Sequence, residues 1–138
     1  MSLKYLIDTD WAVHYFKGHQ AIVKRLDALE DESLAISVVT LAELYDGLYG
    51  SRDPRKREAD LQDFLQWVTV LGFDEETCRL FGKERSRLRQ AGSLPGDMDL
   101  LIGATALRHG LTMLTNNSNH FRRIAGLRIE SLAEGADL

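Results

Sequence analysis

Residues 3–10, LKYLIDTD, join an apolar run to two aspartates that are separated by one threonine. The run is typical of a short buried strand, and the polar residues after it are typical of a helix start. We predict that Thr9 or Asp10 is the N-cap of this first helix. Asp8 then stands at the end of a buried strand, where a carboxylate costs free energy unless a cation or hydrogen-bond donors compensate it.

The same succession of a strand and a helix recurs along the chain. Residues 34–39, LAISVV, predict a second strand, and residues 40–49 predict a helix with Glu43 close to its apolar face. Asp97 and Asp99 open an apolar helix, and Asn117 follows a strand predicted at 111–114. Two further strands are predicted at 68–73 and 127–131. Strands alternating with helices predict an α/β fold, a three-layer α/β/α sandwich with a central, mostly parallel sheet of four to five strands.

Length and composition limit the classes of protein to consider. With 138 residues, of which 44% are hydrophobic, the chain is predicted to form one domain over residues 1–132, followed by a polar tail at 133–138. The apolar runs fall short of the ~18 residues of a membrane span, and the first residues do not resemble a signal peptide. We therefore expect a cytoplasmic protein without membrane contact. The net charge of −4 argues against simple electrostatic binding of nucleic acid, although clustered active-site acids would themselves make the net charge more negative.

The scattered acids predict one metal site, because the carboxyl ends of parallel strands meet at one edge of a sheet. Carboxylate oxygens without a Cys or His cluster favour Mg2+ or Mn2+ over zinc. Such an ion lowers the pKa of a bound water and holds phosphate oxygens, which predicts phosphodiester hydrolysis. Taken singly, Asp8, Asp97 and Asp99 are equally well explained as helix caps and first-turn acids. Glu43 favours the metal site, since capping provides no partner for a carboxylate beside the apolar face of a helix.

Four segments of the chain resemble the PIN-domain ribonucleases and, among them, the VapC toxins of bacterial toxin–antitoxin pairs. The segments are LIDTD at 6–10, ISVVTLAELYDGL at 36–48, DMDLLIGATALRHGL at 97–111 and LTNNSNHFRRIAGLRIE at 114–130. They follow one another in the order and spacing of the family. The resemblance therefore covers nearly the whole chain and implies a metal-dependent endoribonuclease.

The resemblance also assigns roles to individual residues. It implies one Mg2+, for which Mn2+ is a plausible substitute, held mainly by Asp8 and Asp99. Glu43 is the third acid of this metal site and orients or activates a water. Two roles stay open for Asp97, an outer-sphere participant or the N-cap of its helix, and we favour the cap. Asn117 stands where many PIN domains have an aspartate, and its uncharged amide argues against a second tightly bound metal.

Hydroxyl and basic side chains near these acids complete the predicted site. Thr9 and Thr115 are placed to bond the carboxylates or a phosphate, but local backbone is the partner we favour for each. Arg122 and Arg123 follow Asn117 closely and are predicted to contact the RNA backbone near the cut. A second basic group lies on one predicted helix and either tracks phosphates or is a plain solvated face: Lys83, Arg85, Arg87 and Arg89.

The resemblance implies partners as well. The substrate would be a structured RNA, for example a transfer RNA. A small VapB-like antitoxin would insert its tail into the acidic cleft, with a basic residue replacing the charge of the metal, and the toxin would form a homodimer through its helices. Apolar residues at 55–68 and 74–91 would serve either contact if they are exposed, or else belong to the core.

Two alternatives from other classes stay open. Asp8 and Asp10 mimic the paired aspartates of haloacid-dehalogenase-like phosphohydrolases, but Ala12 stands where that pattern expects Thr or Val, and no matched catalytic lysine is evident. The other alternative is a PIN-like module that binds without catalysis. Metal-dependent turnover would separate both from a nuclease, and a phosphate trapped on Asp8 would identify the phosphohydrolase.

Overall fold

A computed structural model describes residues 2–132, so the tail predicted at 133–138 lies outside the described residues. Five strands and seven α-helices alternate along the described chain. In chain order they are β1 (Tyr5–Ile7), α1 (Thr9–Phe16), α2 (Gln20–Asp27), β2 (Leu34–Ser37), α3 (Val38–Tyr49), α4 (Pro54–Leu65), β3 (Thr69–Leu71), α5 (Glu75–Gln90), α6 (Asp97–His109), β4 (Thr112–Leu114), α7 (Ser118–Phe121) and β5 (Arg128–Glu130).

The strands form one parallel sheet in the order β3-β2-β1-β4-β5. Along the chain, β2 and β3 are added on one side of β1, and β4 and β5 are then added on its other side. The strand order therefore reverses between β1 and β4, where Tyr5 pairs with Thr112 and Ile7 with Leu114. In open parallel sheets, ligands bind beyond the carboxyl ends of the strands at such a reversal.

Two apolar cores cover the two faces of the sheet. Successive residues of a strand point to opposite faces. Ile7 accordingly packs in one core with Trp11 of α1, and Leu6 packs in the other with Phe121 of α7. All four side chains are fully buried. The predicted three-layer sandwich is confirmed, and all strand pairs in the described chain are parallel.

Three predicted helix starts are wrong. The N-cap of α1 is Asp8 itself, whose side chain accepts the Thr9 N–H, rather than Thr9 or Asp10. Helix α3 begins at Val38 instead of residue 40, because the Ser37 hydroxyl accepts the Val39 N–H and ends the strand early. Gly96, and not Asp97, is the N-cap of α6.

The exposed apolar residues lie outside the two predicted contact helices. In the part of the chain that the structure describes, the large exposed hydrophobic side chains are those of Val38, Tyr49, Val70, Phe73 and Met98. None of them belongs to α4 or α5. Leu61 and Phe64 of α4 pack in one core, and Phe81 and Leu88 of α5 pack in the other. The alternative that these helices contribute to the core is therefore confirmed. No helix within residues 2–132 is long and apolar enough to cross a membrane.

Candidate active site

The reversal of strand order brings two short segments together at the carboxyl edge of the sheet. Asp8 directly follows β1, and Thr115 directly follows β4. The Asp8 N–H donates to the carbonyl of Leu114 at 2.9 Å, so the β1–β4 pairing extends to the first site residue. The backbone of two neighbouring strands thus fixes the base of the site.

Asp8 is a carboxylate in an almost fully buried position. It is 3% exposed, and it accepts hydrogen bonds from the Thr9 N–H at 2.8 Å and from Thr115 Oγ1 at 2.7 Å. Burial, followed by the charge of Asp10, raises the pKa of Asp8 from 3.8 to about 8, although the two hydrogen bonds lower it. The fold therefore places an acid where its ionised form is poorly compensated.

Glu43 reaches the same region from α3. Thr9 Oγ1 donates to Glu43 Oε1 at 2.6 Å and also lies 3.0 Å from the hydroxyl of buried Thr40. This threonine immediately follows Asp8, so one residue connects the two acids. The preference for a local backbone partner of Thr9 is wrong, since its hydroxyl binds a carboxylate from another helix.

Asp99 and Asn117 meet at a residue that we did not predict. His120 Nδ1 lies 2.7 Å from Asp99 Oδ2 and 3.0 Å from Asn117 Nδ2. The Asn117 N–H in turn donates to Thr115 Oγ1 at 2.9 Å. A lone histidine in a short polar helix carries no sequence signal for this role, because the contact depends on packing α7 against α6.

Hydrogen bonds connect four of the five predicted catalytic residues. Thr115 bonds both Asp8 and Asn117, and His120 contacts both Asn117 and Asp99. Thr9 directly follows Asp8 in sequence and bonds Glu43. Thr115 bonds a local backbone N–H, as we favoured, and a carboxylate as well.

Two further acids depart from expectation. Asp97 is exposed and pairs with Arg85 at 2.9 Å, so it is absent from the network that connects the other four residues. Asp10 is predicted as a cap, or as one of the paired aspartates of a phosphohydrolase, yet its Oδ2 accepts the Asn116 N–H at 3.0 Å and its Oδ1 lies 3.4 Å from Thr115 Oγ1. Its spacing of two residues from Asp8, at the end of a buried strand, is a signal that was available in the sequence.

The donor atoms of the site fit a hard divalent ion. Within residues 2–132, no three Asp, Glu, His or Cys side chains converge to form a metal cage by themselves. Mg2+, however, usually keeps several waters and is bound through one or two carboxylates, whereas structural zinc takes four protein ligands. Asp8 is also buried beside a second acid, and a cation would offset the repulsion between the two negative charges. The residues present thus fit a hydrated Mg2+.

Several predicted RNA contacts are already engaged within the protein. Arg85 pairs with Asp97, and Arg87 pairs with Glu84 at 2.8 Å while it also donates to the Arg123 carbonyl at 2.8 Å. Arg123 Nη1 lies 3.5 Å from the Ser93 carbonyl. The side chains of three others are exposed and make no hydrogen bond or ion pair with another described residue: Lys83, Arg89 and Arg122.

Comparison with known proteins agrees with this architecture. The PIN domain family model matches residues 5–127. Ribonuclease VapC2 of Haemophilus influenzae is 31% identical over 129 residues, which are 94% of this chain and 98% of the relative. The tRNA(fMet)-specific endonuclease VapC of Shigella flexneri is 33% identical over 128 residues, 93% of this chain and 97% of that protein.

The solved structures agree as well. The chain superimposes with a TM-score of 0.87 on a chain of the DNA-bound VapBC complex from Salmonella typhimurium. The two are 32% identical, and the match covers 94% of this chain and 98% of the other. A likeness this extensive favours the nuclease over the phosphohydrolase alternative.

Proposed function

This chain belongs to the PIN-domain family, and on that premise we propose that it is a Mg2+-dependent endoribonuclease, the toxin of a toxin–antitoxin pair. One observation carries the proposal: the buried carboxylate of Asp8 lies at the reversal of strand order beside a second acid. Glu43 and Asp99 reach the same edge through Thr9 and His120. An uncompensated acid in this position is understandable if a cation joins it during function.

Asp8 and Asp99 are the residues that would hold the ion. Both oxygens of Asp8 are oriented by donors, and Asp99 Oδ2 is oriented by His120, which leaves Asp99 Oδ1 for a ligand. When bound, Mg2+ supplies Lewis-acid stabilisation of phosphate charge and a water of lowered pKa. Asn117 positions substrate or water without adding negative charge.

Glu43 is the proposed general base. Thr9 fixes its Oε1, so the orientation of the carboxylate is set before substrate binds. In hydrolysis, Glu43 accepts a proton from the attacking water, the water oxygen forms a bond to phosphorus, and the bond from phosphorus to the leaving ribose oxygen breaks. The leaving oxygen takes a proton from solvent and becomes a hydroxyl group. The role needs a carboxylate at this position, and an amide cannot replace it.

Arg122 is the best-supported contact for the RNA backbone. It is exposed at the C-cap of the short helix that carries His120, and its side chain is unpaired within residues 2–132. The side chains of Lys83 and Arg89 likewise have no hydrogen-bond or ion-pair partner among the described residues. Arg85 and Arg87 would first have to separate from their acidic partners. Such contacts supply affinity and do not select a sequence. A transfer RNA is the proposed substrate, by likeness to the Shigella flexneri relative.

An antitoxin is the proposed partner of the groove beside Glu43. This groove lies between α1, α3 and α4, and it is lined by Val13, Phe16, Leu44, Gly47, Leu48 and Leu61, with Glu43 and Arg57 also on its wall. An apolar segment would fill it, and a basic side chain would reach the acids in place of the metal. The toxin would also form a homodimer and act in the cytoplasm, where its RNA is found.

The test is cleavage of total bacterial RNA by the purified, antitoxin-free chain, with fragment ends mapped by sequencing. Samples contain either Mg2+ or a chelator. Glu43→Gln removes the proposed base, and Asp46→Asn is its matched control, because Asp46 is an exposed acid on the same helix. We expect discrete cuts with Mg2+ for the wild type and Asp46→Asn. Cuts should be lost with chelator and fall about 10²-fold or more in Glu43→Gln.

Discrete fragment ends would also identify the RNA and the bond that is cut. Equal cleavage in chelator and in Mg2+ would refute metal dependence. A folded wild-type chain that cuts no RNA under either condition would refute the nuclease and favour the binding module.

A further inference from the structure

The imidazole of His120 is the only described side chain that hydrogen-bonds the Asp99 carboxylate. Asp99 lies in the first turn of α6, and its side chain is 25% exposed, so neighbouring atoms cover most of it while the ring supplies the directed contact. Asp8, in contrast, is held by two donors within a buried pocket. Among the described side chains, one ring therefore makes the hydrogen bond that orients the second proposed metal ligand.

The position of the ring hydrogen follows from this contact. Both short contacts of the ring are made by one atom, Nδ1, which lies 2.7 Å from Asp99 Oδ2 and 3.0 Å from the Asn117 amide. A carboxylate oxygen only accepts, so a contact of 2.7 Å requires a hydrogen on Nδ1. Nδ1 then cannot accept a hydrogen from Asn117. The contact with Asp99 takes most of this hydrogen bond, and the amide can share the same hydrogen only through its oxygen, since amide oxygen and nitrogen are assigned from the surrounding hydrogen bonds.

One consequence follows for the site. The hydrogen bond commits Asp99 Oδ2 to the ring and directs the other oxygen away from it. The same ring atom lies 3.0 Å from the Asn117 amide, so it contacts two side chains that are 18 residues apart in sequence.

We propose that His120 is a positioning residue that fixes Asp99 for the divalent ion. The proposal rests on the proposed function, because it concerns the same metal. Partners that orient metal-binding carboxylates contribute about 10- to 100-fold to metal affinity. His120 acts through Asp99 and is not itself a ligand in this scheme.

The test is binding of Mn2+ to the full chain, followed by the electron paramagnetic resonance signal of free Mn2+. Three substitutions separate the two ring nitrogens. His120→Asn places an amide N–H near the position of Nδ1–H, His120→Gln places one near the position of Nε2, and His120→Ala removes both. Asn119→Ala is the matched control, since Asn119 is the exposed neighbour in the same helix.

We expect about 10- to 100-fold weaker Mn2+ binding for His120→Ala and His120→Gln, and recovery of most of the affinity in His120→Asn. Cleavage of RNA should follow the same order. The His120 side chain is 49% exposed, so melting temperatures should remain close to that of the wild type. A role in stability alone would not produce this difference between Asn and Gln.

Two results would overturn the inference while leaving the proposed function intact. One is wild-type Mn2+ affinity in His120→Ala, and the other is equal loss in His120→Asn and His120→Gln. A wild-type chain that binds no Mn2+ and cuts no RNA would overturn the proposed function, and the role of His120 with it.

Discussion

At the scale of single residues, Asp8 shows how the site and the stability of the fold are connected. Its ordinary pKa of 3.8 applies to the unfolded chain, and burial raises the folded value to about 8. Between these values the folded state binds more protons than the unfolded state, so ionisation of Asp8 lowers the free energy of unfolding as pH rises. Well below pH 3.8 Asp8 is protonated in both states and this penalty is absent.

We predict that Asp8→Asn stabilises the metal-free protein at pH 8. The amide can keep the Thr9 N–H as a donor to its oxygen and can donate to the Thr115 hydroxyl. The free energy of unfolding should rise by at least about 1 kcal/mol, since one pKa unit corresponds to about 1.4 kcal/mol. Urea unfolding in chelator from pH 4 to pH 8.5 measures this, and the gain should vanish toward pH 4.

A control variant and a set of samples that contain Mg2+ make this prediction specific. Asp46→Asn, an exposed acid, should change stability little over the same range. Mg2+ should stabilise the wild type and leave Asp8→Asn unchanged, because a ligand stabilises only the state that binds it. Destabilisation of Asp8→Asn at all pH values would show that Asp8 is a structural acceptor.

At the scale of elements, two adjacent asparagines after β4 have different tasks. Asn116 Oδ1 accepts from the indole N–H of buried Trp11 at 2.9 Å and from the Leu132 N–H at 2.9 Å. It therefore ties α1 to the segment that follows β5. Asn117 bonds Thr115 and lies beside His120, both of which belong to the site.

We predict that Asn116→Ala and Asn117→Ala separate stability from activity. Asn116→Ala leaves the Trp11 indole without its acceptor and should lower the free energy of unfolding by about 1–3 kcal/mol. Asn117→Ala should change stability by less than about 0.5 kcal/mol and reduce RNA cleavage. Urea unfolding and the cleavage assay, applied to both variants, measure the two effects. Equal stability losses would contradict this division.

The sequence predicted the strands and helices of the site better than the residues at which the helices begin. Apolar runs that end in an acid predicted β1 and Asp8, and the pattern of α3 predicted that Glu43 lies near an apolar face. Helix starts were less predictable, because Ser37 ends β2 by capping while Val38 and Val39 continue the apolar pattern of a strand. Whether a cap forms depends on a single side-chain rotamer, which periodicity does not reveal.

Contacts between distant elements were the least predictable part of the site. His120 reaches Asp99 across 21 residues, and Thr9 reaches Glu43 across 34 residues. Neither pair has a local sequence pattern, since each contact arises only when helices pack on the sheet. Asp97 illustrates the converse, because its place in the motif indicated a role in the site or a cap, whereas its side chain turns to Arg85.

At the scale of the whole molecule, the order of the strands determines where chemistry can occur. The sheet grows away from β1 in both directions, so a crevice forms beyond the carboxyl ends of β1 and β4. Helices α1, α3 and α6 start at or near this edge and deliver Asp8, Glu43 and Asp99. Two cores on opposite faces support the sheet, which allows one buried acid to be retained although it reduces stability.

We propose that Asp8 is retained for RNA hydrolysis in spite of its effect on stability. The measurement that tests this is the rate of RNA cleavage at saturating Mg2+ for the wild type and Asp8→Asn, with unfolding measured on the same samples without metal. We predict a rate about 10² to 10³-fold lower in a variant that is more stable at pH 8. Cleavage at the wild-type rate by Asp8→Asn would show that Asp8 has no part in the reaction.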